Sequence, residues 1–400
     1  MKFRLALLPC VVAASAACSL PADLSARADA PRSAQSTAGV KPAPSMSDPS
    51  RPVELQDAAA PFKARALNTF NQPWAMTFLP DGRALVTQKS GALKLVTIGG
   101  SSVDVSGVPS VATGGQGGLG DVLLHPKFAS NGFVYLSHIE AGNGDKGAIV
   151  VRYRLTLTES GAALSDRKLI WTQTKTTGDG HFAHRIAFGP NGKLWITSGD
   201  RQKFDPAQDM ASNLGKVVRL FDDGRVPTDN PFAQRGGVTA QIWTLGHRNP
   251  LGIAFDAKGQ LWTHEMGPKG GDELNLIERG ANYGYPLVSN GDHYDGRVIP
   301  DHVTRPEFNA PETTWNPVIS PAGFVIYSGQ AFPQWRGHGF IGGLSSEALV
   351  RVEFNGDTAR EAARYPMGKR IREVEQGPNG ELYVLEDGPD GRLLRLEPKT

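Results

Sequence analysis

The chain has 400 residues, 40% hydrophobic and 20% charged, with 47 glycines and 29 prolines, a composition that supports a large core built from short strands and turns rather than helices. Its formal net charge is +2 and no run of Lys or Arg exceeds two residues, which excludes an electrostatic footprint for nucleic acid and points to a small or neutral substrate.

Lys2 and Arg4 precede an apolar run from Leu5 to Ala17, too short to span a bilayer and flanked like a secretory signal peptide over residues 1–18. Export to the periplasm is expected. Ser15-Ala16-Ala17-Cys18 has the form of a bacterial lipoprotein cleavage box, with ordinary signal cleavage as the alternative. Both cysteines, Cys10 and Cys18, lie in this segment, so the mature domain has no disulfide and its one membrane attachment would be a lipid on Cys18. Cys18→Ser is then expected to move the protein from membranes to the soluble periplasmic fraction at unchanged specific activity; an unchanged partition would leave ordinary cleavage. Residues 19–61 are rich in Ala, Ser, Pro and Asp without apolar period and read as a disordered tether. Folding is expected from Phe62, and residues 62–400 show no composition break, so they form one domain.

Within that domain a strand–turn–strand unit recurs. Phe78-Leu79-Pro80-Asp81-Gly82 leads into Ala84 to Thr87, Ser130-Asn131-Gly132 into Phe133 to Ser137, and Phe188-Gly189-Pro190-Asn191-Gly192 into Leu194 to Thr197. The pattern returns before Leu261 to His264, near Gly339 before Phe340 to Gly343, and at Gly377-Pro378-Asn379-Gly380 before Leu382 to Leu385. Six units at a spacing of roughly 40 to 50 residues, with insertions, predict an all-β, six-bladed β-propeller. An N-terminal strand near Ala64 to Thr69 is expected to pair with the last strands and close the ring, which removes an exposed edge. Inner strands of a propeller all start at one end of the channel. Gln116, His181, Arg185, His247, Arg248, Arg370 and Arg372 stand just upstream of, or at the start of, such strands and should converge there.

Gly115-Gln116-Gly117-Gly118-Leu119-Gly120 matches a dinucleotide fingerprint, but it precedes a strand instead of opening a helix, so it reads as a tight loop at the channel mouth with Gln116 as its polar group. His181, in Gly178-Asp179-Gly180-His181, is the candidate general base because imidazole titrates near neutrality; a capping histidine is the bland alternative, and His184 reads as a residue supporting the site from behind or as rim. Gly246-His247-Arg248-Asn249-Pro250 sets a guanidinium fork beside a carboxamide, suited to carboxylates and quinone oxygens, or else to an inter-blade salt bridge. Glu265 to Asn275 is a glycine-rich loop with carboxylates and free carbonyls, which suits Ca²⁺ better than zinc or copper and otherwise is a solvated turn. No nucleophile elbow and no His-Glu-x-x-His pair occurs.

Together these segments resemble the soluble aldose sugar dehydrogenases, the quinoprotein family that includes soluble glucose dehydrogenase. The resemblance runs from Gln72-Pro73-Trp74 to Arg392-Leu393-Leu394 and includes Leu214 to Leu220, Val226 to Phe232, Asn282-Tyr283-Gly284-Tyr285-Pro286 and Arg370-Ile371-Arg372-Glu373-Val374. It implies pyrroloquinoline quinone and Ca²⁺ as cofactors. His181 falls on the catalytic base, Gln116, Arg248, Asn249, Arg370 and Arg372 on cofactor contacts, the carbonyls of Gly267 and Pro268 on ligands of the cofactor-bound Ca²⁺, and Glu273 and Tyr283 on a second, structural calcium site. The implied chemistry is removal of the anomeric hydroxyl proton by His181 as hydride passes from sugar C1 to the quinone, with Arg248 stabilising the oxyanion, to give a lactone.

Three departures accompany the resemblance. Ser345 and Ser346 occupy a loop where the family carries a cofactor-binding lysine, His184 replaces a small residue, and Gly180 stands where an orienting aspartate can occur. The alternatives are a Ca²⁺-dependent propeller lactonase or esterase, and a non-enzymatic interaction propeller at the cell surface. No electron acceptor and no oligomeric state is legible in the sequence.

Overall fold

The structure, a computed structural model, describes residues 60–399; the expected signal segment and nearly all of the expected tether lie outside the described residues. Ala60 is already buried in one cluster with Phe62 and Trp335, and the Pro61 carbonyl accepts the Lys399 N–H at 3.0 Å, so the described fold already includes these two residues before Phe62.

The architecture is a six-bladed β-propeller. The first blade comprises Pro73–Phe78, Ala84–Gln88, Leu93–Val96 and Ser102–Ser106, and the second Leu119–Leu124, Phe133–Gly142, Asp145–Leu157 and Ala162–Thr172. These two share one eight-stranded sheet, because their outer strands pair in parallel at Val105 and Ser106. The third, fourth and fifth blades start with Ala183–Phe188, Pro250–Phe255 and Pro321–Ile326. The sixth has three strands of its own, Ile371–Gln376, Leu382–Glu386 and Gly391–Pro398, and takes its fourth from the N-terminal Phe62–Phe70, antiparallel to Gly391–Pro398. The ring therefore closes as the sequence implied.

Burial follows from this stacking. In five blades the second strand is buried at every position, because neighbouring blades cover both its faces. Five of the six inner strands show four buried residues followed by two half-buried ones.

Every inner strand carries a register shift at its entrance, between Pro73 and Met76, Leu119 and Val122, Ala183 and Ile186, Pro250 and Gly252, Pro321 and Phe324, and Ile371 and Glu373. A bulge leaves an N–H without its ladder partner and re-aims side chains. Hydroxyls on the second strands meet that need: Thr87 accepts from Ala75 N–H at 3.0 Å, Ser137 from Asp121 N–H at 2.8 Å, and Thr197 from Arg185 N–H at 2.9 Å. The bulges send Trp74, His184, Leu251 and Arg372 to the wall of one cavity at the mouth of the ring.

Candidate active site

His181 sits in the loop entering the third blade, 6% exposed, with Nδ1 2.6 Å from Asp200 Oδ1. Asp200 has no exposed surface and also accepts the N–H groups of Gln202 at 2.9 Å and Phe204 at 3.2 Å. A carboxylate so placed fixes the imidazole with its proton on Nδ1 and leaves Nε2 as the basic nitrogen. Burial pushes the His181 pKa below its ordinary 6.5; Asp200 opposes that shift and the Arg248 charge adds to it. The loop is held from below by Arg201, 1% exposed, which donates to the carbonyls of Gly180 at 2.9 Å and Gly178 at 2.5 Å and lies over Phe182. The main chain here is strained: His181, Ala183, His184, Arg201, Gln202 and Phe204 all adopt φ between 48° and 64°, a concentration typical of functional sites. Gly199 is required because a Cβ there would lie 2.1 Å from the His181 carbonyl oxygen.

Asp179, one residue before the Gly180 that stands where an orienting aspartate can occur, pairs with Lys146 at 2.5 Å. Asp200 orients His181 instead. It stands at the upper end of Leu194–Ser198, the strand paired with the one His181 introduces, and a search for acids at the ends of second strands would have found it.

Arg248 is 6% exposed and donates through Nη1 to the carbonyls of Met266 at 2.9 Å and Gly267 at 2.6 Å. Its loop hangs on a single buried carboxylate, Glu265, which accepts from Arg248 N–H at 2.5 Å and Asn249 N–H at 3.3 Å and pairs with His247 Nδ1 at 2.8 Å. His247, expected at the channel mouth, is thus a buried support. Asn249 has no exposed surface and lines neither cavity described below.

A cavity of about 400 Å³ opens beside this loop, between Trp74, Phe182, Leu251 and the polar groups Gln116, Arg370 and Arg372. Gln116 Oε1 accepts the His181 N–H at 2.7 Å, which ties the glycine loop to the base. Asp387, unnoticed in the sequence, accepts from Arg370 Nε at 2.8 Å and Arg372 Nε at 2.9 Å. Lys89 completes the polar wall. A second space of about 220 Å³ holds His181, Arg248 and Pro268 with Phe204, Tyr285 and Tyr294. Thus Gln116, Arg370 and Arg372 line one space, and His181, Arg248 and Pro268 the other. Leu344 reaches the first cavity, whereas the hydroxyls of Ser345 and Ser346 point to the carbonyls of Val318 and Ile319.

His184 is not rim. It is 2% exposed, stacks on Trp74 at 5.0 Å, bonds Ser137 Oγ through Nδ1 at 2.8 Å, and burial lowers its pKa to about 3. Arg185 is not at the mouth either: its guanidinium lies 4.0 Å from the Trp74 ring centre and contacts Asp121 and Glu373. Trp74, His184 and Arg185 floor the site. Below them Asp121, Glu373 and Glu375 line a separate space of about 160 Å³. The axial carboxylates that a propeller lactonase needs are therefore occupied by an arginine.

The glucose/sorbosone dehydrogenase family model matches residues 70–395. The chain belongs to the glucose/sorbosone dehydrogenase family. The aldose sugar dehydrogenase YliI of Escherichia coli is 39% identical over 340 residues, which cover 82% of this chain and 91% of that protein. The crystal structure of the E. coli soluble aldose sugar dehydrogenase in the apo form superposes with a TM-score of 0.79 at 37% identity, over 84% of this chain and all of that one. The PQQ-bound aldose sugar dehydrogenase of Streptomyces coelicolor gives 0.67 at 27% identity, over 84% and 98%.

In this glucose/sorbosone dehydrogenase family member the residues suggested for metal fall in two places. The Gly267 carbonyl meets Arg248 and Pro268 borders the His181 space; Asp272 anchors that turn by accepting Gly267 N–H at 2.9 Å, Ile319 N–H at 2.8 Å and Ser320 N–H at 2.7 Å. Glu273 lies apart, buried next to Glu265 in register, with His302 Nε2 at 3.4 Å and Asn275 Nδ2 at 3.3 Å. Burial, reinforced by Glu265, raises its pKa. Among the described residues no three His, Asp or Glu side chains converge as a metal site. The Asn275 Oδ1 is buried without a partner, so Glu273 and this oxygen suit a hard cation. The Tyr283 hydroxyl does not: it donates to the Leu276 carbonyl and accepts Glu278 N–H at 3.0 Å, so Tyr283 could contribute only its main chain.

Proposed function

We propose that this protein is a pyrroloquinoline quinone-dependent aldose dehydrogenase that oxidises the C1 hydroxyl of an aldose to the lactone. The observation that carries the reading is a cavity rich in arginine set against an oriented, buried histidine. Its volume of about 400 Å³ lies within the roughly 300–1,000 Å³ of small-ligand sites. The apolar faces of Trp74, Phe182 and Leu251 suit a planar aromatic ring, and Arg370 and Arg372 suit its carboxylates. Gln116 and Arg248 would hold it from the other blades. The carbonyls of Gly267 and Pro268 would hold a calcium ion beside Arg248, whose Nη1 uses one of the two lone pairs of the Gly267 oxygen. The quinone, when bound, supplies the two-electron acceptor for sugar C1.

The chain's own groups do the rest. His181 Nε2 takes the proton of the C1 hydroxyl, Asp200 keeps the imidazole in the required tautomer and balances the imidazolium that forms, and Arg248 stabilises negative charge developing nearby. Phe204, Tyr285 and Tyr294 offer rings to the sugar at the opening. Mature protein supplied with pyrroloquinoline quinone and Ca²⁺ is expected to reduce an artificial dye in the presence of aldoses, with no response to NAD. Absence of quinone binding would remove this reading.

A further inference from the structure

The three cationic side chains of the larger cavity do not have equal partners. Asp387 engages both Arg370 and Arg372 through their Nε atoms. Lys89, which arrives from the first blade, feels that carboxylate only at longer range: its Nζ donates to the Gly115 carbonyl at 2.6 Å, and among the described residues it takes part in no ion pair within 4.0 Å. Its backbone is fixed on both sides, N–H to the Gln72 carbonyl at 3.0 Å and carbonyl to Leu119 N–H at 3.3 Å. The side chain therefore leaves a rigid corner and reaches the cavity wall half-buried. An ammonium has three donors, and the Gly115 carbonyl uses one.

We infer that Lys89 is an anion-binding residue of this cavity, supplying from the first blade a contact to a carboxylate of the quinone, beside those that Arg370 and Arg372 supply from the adjoining sixth blade. This inference rests on the quinone reading above. One carboxylate faces three cations around this cavity, so an anionic ligand relieves the excess that burial and the Arg372 charge impose on Lys89, whose pKa they lower in that order against the weaker opposing pull of Asp387. The same ammonium also braces the Gly115 carbonyl next to Gln116, so a merely structural role makes a different forecast: it moves loop order and turnover without changing the charge dependence of quinone binding.

The test is a titration of metal-supplemented protein with pyrroloquinoline quinone, followed by tryptophan fluorescence, with no sugar present. Lys89→Gln keeps an N–H donor for the Gly115 carbonyl and removes the charge. It is expected to weaken Kd roughly 10- to 100-fold, the worth of one charge-assisted hydrogen bond, and to flatten the dependence of Kd on salt. Lys89→Arg is expected to restore most of the affinity, and serves as the reference for folding. A Lys89→Gln Kd within twofold of wild type, or an unaltered salt dependence, overturns the inference. Failure of the wild type to bind the quinone would show first, and would overturn the functional reading itself.

Discussion

Replacing His181 with alanine is expected to depress aldose turnover by roughly 10²- to 10⁴-fold, the usual worth of a positioned general base, while much of the quinone affinity survives. The two effects separate because the residue lines the smaller space with Arg248, whereas Arg370 and Arg372 lie in the larger one. Asp200→Asn should fall in the same range, since the amide can present a donor to Nδ1, favour the wrong tautomer and loosen the N–H groups of Gln202 and Phe204. The pH profile carries a second signature. Burial lowers the His181 pKa, so the base stays unprotonated below pH 6.5 and the acid limb of kcat/KM should lie under the ordinary histidine value. A limb above 6.5, or an alanine variant that turns over like wild type, would sink His181 as the base.

Arg185→Met is expected to remove about 3–5 kcal/mol of stability, the loss that follows when one partner of a buried ionic cluster is deleted, which is a large part of the ~5–15 kcal/mol of a typical domain. Arg185 is 5% exposed, holds Asp121 and Glu373 through Nη1, and donates through Nε to the Leu251 carbonyl at 3.0 Å. The loss should depend on pH. Burial raises Glu373 from 4.5 to about 7, against the opposing pull of Arg185, and raises Asp121 as well. Between pH 4.5 and about 7 the folded protein keeps a proton on Glu373 that the unfolded chain has released, so stability declines as pH rises through that window. Without the arginine both carboxylates titrate higher. The defect should therefore be smaller at pH 5 than at pH 8, measured by denaturant unfolding; equal losses at the two values would show that Arg185 acts through packing on Trp74 instead.

The propeller was legible because its signals are local. Asp-Gly and Pro-Asn-Gly turns before short apolar runs set the strands, and the repeat spacing set the blade number. The positions of Gln116, Arg370 and Arg372 at one end of the ring followed from the same periodicity, since every inner strand enters from that end. His181 stood out by its glycine-flanked loop. What each polar group touches was not legible, because those contacts are set by how strands and loops pack and not by neighbouring positions in the chain. Arg185 adjoins His184 in the chain yet turns below the floor to meet Glu373 across the ring, and a bulge, visible only as a register shift, decides that turn. Glu265 supporting His247 and Asp387 holding Arg370 and Arg372 join the entrance of an inner strand to the end of the next strand in the same blade, and Lys89 meeting Gly115 joins the first blade to the loop entering the second. The sequence by itself determined the fold class, the ring closure and the end of the channel where chemistry collects, all consequences of strand alternation and turn residues. Only the tertiary structure decided that Asp200 and not Asp179 orients His181, and which cations share a partner, because burial and the distances between paired strands are set by packing and not by adjacency in the chain.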